Sequence, residues 1–74
     1  MTSVRIKGAW ARAGDRVVVT KADGQKYPAQ INPDPDYVAE RNGMAVIMYE
    51  GQAPAGSKAG ALYAVAPDSV EPVA

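Results

Sequence analysis

The side chains available for a core constrain this chain before any pattern is counted. Nine valines and three isoleucines stand against one leucine, Leu62, and no phenylalanine. Branching at Cβ restricts χ1 in a helix and suits a pleated surface, so the vocabulary is that of a sheet. Fourteen of the hydrophobic residues are alanine, which leaves valine to build the core. Seventy-four residues are read as one domain. A chain of that size buries only about 60% of the surface it exposes when unfolded, so help from a partner or from self-assembly is expected.

Charge and chemistry exclude several classes. Eight basic and eight acidic residues give a net charge of zero, with no block of like charge of the kind that marks a nucleic-acid arm. Nucleic acid is therefore not an expected partner. The absence of cysteine removes disulfides and thiolate metal sites, and the absence of histidine removes the commonest metal ligand and the usual general base near neutrality. The opening MTSVRIKGAW lacks the apolar run of a signal peptide, and no stretch approaches the ~20 apolar residues of a membrane span. A soluble, cytoplasmic protein without cofactor or metal is the expectation.

Along the chain, residues 1–13 read as a small-residue lead-in in which residues 4–7 alternate as a short edge strand. The barrel is expected over about residues 14–73. Residues 16–20 are a β-branched run, Asp23-Gly24 is a turn pair that uses glycine's easy positive φ, and residues 26–31 run back with Tyr27, Ala29 and Ile31 on one face. Pro28 cannot donate to a ladder and belongs at an edge or bulge. Asn32-Pro33-Asp34-Pro35-Asp36 is a rigid turn. Residues 37–41 fit either one helical turn capped by Asp36 or, preferred here, a Tyr37-Val38 strand joined onward through Asn42-Gly43. Residues 44–50 are apolar on both faces, which predicts burial on both. Residues 51–60 read as a flexible loop too poor in large side chains to pack. A strand over 62–65, a 3₁₀ turn at Pro67-Asp68-Ser69 and a last strand from Val70 follow, with Leu62 and Val70 inside and Tyr63 outward. The sum is an all-β chain: a small SH3-like antiparallel barrel of five to six short strands, with a 3₁₀ turn before the last.

Gly14-Asp15-Arg16-Val17, Gly43-Met44-Ala45-Val46, and Leu62 with Pro67 and Val70-Glu71 resemble landmarks of the plasmid-borne type II dihydrofolate reductases. That resemblance implies a short SH3-like barrel assembling as a tetramer around one pore that holds folate and NADPH. In the family a lysine of the first barrel strand and a Gln-Ile-Tyr run of the penultimate strand line the pore. The matching positions here are Val19 and Tyr63-Ala64-Val65, so the resemblance implies the fold without its chemistry. Ala61-Leu62-Tyr63 is similar to the start of eukaryotic SH3 domains but lies at the wrong end of the chain, and the tyrosine of the groove is missing after Pro67-Asp68-Ser69.

Five residues stand out as binding candidates: Trp10, Tyr27, Tyr49, Tyr63 and Val65. Trp10 is either a plug for one end of the barrel or an interface anchor. The tyrosines, with Tyr37, make either a stacking platform or half-buried barrel residues. Asp34, Asp36 and Glu40 are turn chemistry before they are a cation site, and nothing in the spacing pairs Asp15 with Glu50 or Glu71 as acid and base. The leading expectation is a non-catalytic module of bacterial, phage or mobile-element type that works through protein contacts or self-assembly. A divergent reductase-like tetramer binding NADPH, with Tyr63 and Val65 in its pore, is the second. A weak single-strand nucleic-acid binder using residues 16–26 and Tyr27 is the third.

Overall fold

The computed structural model describes residues 3–34 and 38–73. The described chain is all-β, with eight strands and one 3₁₀ turn. A hairpin of β1 (Ser3–Ile6) and β2 (Ala9–Arg12) precedes a curled sheet that forms a half-barrel. The sheet runs β5 (Glu40–Arg41), β6 (Met44–Tyr49), β4 (Lys26–Ile31), β3 (Arg16–Thr20), β8 (Val70–Pro72), with β7 (Leu62–Val65) on the other side of β6. All pairings are antiparallel. No helix of the described residues is long and apolar enough to cross a membrane.

The central hairpin is as its sequence predicts. Val17 and Val19 of β3 face Ala29 and Tyr27 of β4, and the Asp23-Gly24 turn is closed by Lys21 N–H to Gln25 C=O at 2.9 Å and by Gln25 N–H to the Asp23 carboxylate at 2.9 Å. Pro28 ends the β4–β6 ladder. Its carbonyl accepts from Glu50 N–H at 3.0 Å, and the return bond to Glu50 is the one a proline cannot make. Pro67–Ser69 forms the 3₁₀ turn, closed by Ser69 N–H to Ala66 C=O at 3.0 Å. It delivers Val70, 0% exposed, to the core.

Several expectations need correction. Residues 9–12 are a strand and not a lead-in, and pair with β1 as a two-stranded hairpin beside the six-stranded sheet. Gly8, at φ 73°, permits a tight reversal, after which Val4, Ile6 and Ala11 fall on one face and are buried. The hairpin is tied to the sheet by Lys7 N–H to Val70 C=O at 2.9 Å and Gly14 N–H to Ile31 C=O at 2.8 Å. In the next segment Val38 is not in a strand; the extended piece is Glu40–Arg41. Asn42 and Gly43, at φ 53° and 80°, turn it directly into β6, the mirror-image turn that matches strand twist. The proposed cap Asp36 and the residue Tyr37 lie outside the described residues.

The two faces of β6 are also unequal. Ala45, Ile47 and Tyr49 enter the core, while Met44 and Met48 are only half-buried on the outer face with buried Val46 between them. Register then fixes β7. Ile47 pairs with Tyr63 and Ala45 with Val65, and residues directly opposite one another share a face. Tyr63 and Val65 therefore pack against the core, and Leu62, predicted inside, is turned outward and is 38% exposed. The loop after β6 does pack: Pro54 is buried, Ala53 lies against the core, and Gly60 N–H donates to Tyr49 C=O at 3.2 Å.

Candidate functional site

Three of the candidate tyrosines meet. Tyr49 stands 6.2 Å from Tyr27 in an edge-on contact and 5.8 Å from Tyr63 in a tilted one, centroid to centroid. Strand alternation sends all three to the inner face, where Tyr49 is buried and Tyr27 and Tyr63 pack against the core. Burial, with the neighbouring Tyr63 and Tyr27 hydroxyls adding, raises the Tyr49 pKa above its ordinary value of 10.0. The Tyr63 hydroxyl accepts from Lys58 N–H at 2.8 Å and so holds the 51–60 loop. The cluster is a wall of the core with a loop fastened over it. Val65 lies in the same inward row. Val19 is 1% exposed inside the chain's own core.

Trp10 is not a plug. It lies on the outward face of the β1–β2 hairpin and is 62% exposed. Its cross-strand partner is Arg5, whose guanidinium carbon stands 5.9 Å from the indole centroid, within the range of a cation–π contact. Arg12 lies two residues along on the same face. Its own backbone N–H donates to the Asp15 carboxylate at 2.8 Å, which closes the end of β2. Beside Trp10 an open cleft of about 630 Å³ is lined by Val4, Ile6 and Pro67, with Arg5 and Lys7 on one side and Glu40 and Asp68 on the other.

Two of the three basic residues of the central hairpin, Arg16 and Lys26, are engaged. Arg16 pairs with Glu50 through two contacts of 3.3 and 3.4 Å, and Lys26 pairs with Glu71 at 2.7 Å. The hydrogen bond from Lys26, then its charge, with a smaller contribution from Lys7, hold the Glu71 carboxyl below the usual range. These pairs span 34 and 45 residues of sequence, so sequence reading missed them. The three carboxylates weighed as an acid–base set are thereby separated, each on a different partner. Glu40 accepts from Gly43 N–H at 2.6 Å. Among the described residues no group of three His, Cys, Asp or Glu is placed to hold a metal ion.

The outer face of the sheet is the other exposed surface. Register places Val18, Pro28, Gln30, Met48 and Leu62 on it. Val18, Pro28 and the 54%-exposed Val73 border an open depression of about 490 Å³. At the far side β7 pairs only with β6 among the described residues, so its other edge is a row of backbone groups without a strand partner.

Comparison with protein-family models, curated proteins and solved structures finds no match to this chain. Function is argued from its own surfaces.

Proposed function

We propose that the chain is a contact module that associates with a second copy of itself through the outer face and open edge of its sheet. The observation that carries this is β7, the sequence Leu-Tyr-Ala-Val. It carries no charge, no proline and no bulge, the devices by which monomeric proteins blunt an edge strand. Leu62 at its start is 38% exposed and stands beside Met48 on the outward face, so edge pairing and apolar contact reinforce each other. An antiparallel β7–β7 contact about a two-fold axis presents the same patch from both copies, as closed symmetric dimers require. A small valine core with little surplus stability gains from such burial.

The test is solution mass by light scattering across about a hundredfold dilution, because association follows mass action. A dimer or tetramer that Leu62→Lys converts to a monomer supports the reading. A wild-type monomer at the highest concentration overturns it. A stable tetramer calls next for titration with NADPH and dihydrofolate, the ligands of the reductase-like alternative.

A further inference from the structure

We infer that the outward face of the β1–β2 hairpin is a binding site for single-stranded nucleic acid, with Trp10 as the stacking platform and Arg5 and Arg12 as the phosphate contacts. This surface is distinct from β7 and the inference does not rest on self-association. Net charge of zero hides a local asymmetry. Residues 3–14 contain Arg5, Lys7 and Arg12 and no acid. The hairpin then sorts them: Val4, Ile6 and Ala11 go inward, while Arg5, Trp10 and Arg12 come out together. On the sheet Arg16 pairs with Glu50 and Lys26 with Glu71.

The chemistry of the face selects its ligand. An acidic polypeptide matches the cations and leaves a mostly exposed indole in water. A chain that alternates an anionic group with a flat ring matches both, since base–aromatic stacking and a cationic track are the two components of single-strand recognition. Arg5 already lies over the indole at 5.9 Å, and Arg12 follows Trp10 by two residues, about 6.6 Å of strand. Glu40 and Asp68 line the adjoining cleft, where they repel phosphate. Nothing in the set reads base identity, so the binding is sequence-tolerant.

Trp10 is the only tryptophan, so the intact protein reports on its own site. Titration with a short oligothymidylate at low salt quenches indole fluorescence if a base stacks. The logarithm of affinity falls with the logarithm of salt by roughly 0.7 per phosphate contacted, about 1.4 in total for the two arginines. With a labelled oligonucleotide read by anisotropy, Trp10→Ala weakens binding roughly ten- to a hundredfold, and Arg5→Gln and Arg12→Gln each reduce the salt slope by about 0.7. The exposure of Trp10 lets the fold survive its removal, which far-UV circular dichroism checks. An oligouridylate arm reports whether the 2′-hydroxyl is tolerated; binding of either strand supports the site. Absence of quenching by both strands overturns it. So does unchanged affinity in Trp10→Ala, or a polyglutamate of matched charge that binds as tightly as the oligonucleotide.

Discussion

Replacing Asn32 by alanine destabilises the fold by about 2–4 kcal/mol. Asn32 is the one buried polar side chain among the described residues, 1% exposed, and it ties the end of β4 to the segment leading into β5. Its Nδ2 donates to Val38 C=O at 3.2 Å, its Oδ1 accepts from Asp34 N–H at 3.0 Å, and its backbone N–H donates to Val46 C=O at 2.9 Å. Alanine removes the two side-chain bonds. Each is worth about 0.5–1.5 kcal/mol net, and a buried group left without a partner costs about 1–3 kcal/mol. A chain of this length carries roughly 4–11 kcal/mol in all, so the loss is a large share of it. The midpoint of thermal unfolding falls by at least about 8 °C, at ~4–8 °C per kcal/mol for a domain of this size.

Urea and thermal unfolding by far-UV circular dichroism, at one protein concentration, measure this. The Asn32→Asp variant sharpens the test. Its carboxylate keeps the acceptor for Asp34 N–H but sets a negative oxygen against the Val38 carbonyl. At neutral pH it is therefore no more stable than Asn32→Ala. Its folded-state pKa is raised, so stability returns as pH falls and the protonated acid donates again. An Asn32→Ala protein within about 0.5 kcal/mol of the parent refutes the account, as does an Asn32→Asp protein that is fully stable at pH 7.

Lysine at position 62 produces a monomer by light scattering, as argued for the β7 edge. Loss of the Trp10 side chain weakens oligonucleotide binding while leaving that association intact, so the two surfaces are separable in one set of variants. The Glu71 carboxyl, held low by Lys26, contributes stability that is whole above its ordinary value of 4.5 and is lost as pH falls through the lowered one. Thermal melts between neutral and acid pH show a shallower acid limb in Glu71→Gln; an unchanged limb shows that the pair adds nothing. Gly43→Ala costs about 1–2 kcal/mol. A Cβ there meets nothing within 4 Å, so the whole cost is the left-handed backbone at φ 80°. Chemical denaturation measures it, and a change of a few tenths means that the Asn42-Gly43 turn relaxes freely.

The sequence was legible where local chemistry decides. Residues 16–31 declared their hairpin because a β-branched run, Asp-Gly and a second alternating run agree, and Pro67 with Ser69 marked the 3₁₀ turn. It misled where two faces compete. Leu62 was expected inside because it is the only leucine, yet its direction is set by the Ile47–Tyr63 register, which no property of residues 62–65 encodes. Ala9 to Arg12 looked like a lead-in because alanine and glycine dilute the alternation that puts Ala11 inward and Trp10 outward. At the candidate sites, composition located the aromatic residues but not their partners. Tyr49 and Trp10 are equally apolar in a string of letters, and burial alone separates a core tyrosine from an exposed indole.

The pairing of β3 with β8 joins residues 17–19 to residues 70–72. It has a consequence for the order in which the molecule is made. Hairpins closed by short turns form within microseconds, whereas this contact must close a loop of most of the chain before it stabilises anything. During synthesis the first two hairpins emerge and pair early, but β3 keeps an open edge until Val70 has left the ribosome. Val17 and Val19 are then covered last, so the hydrophobic heart of the half-barrel is exposed for longest in the nascent chain.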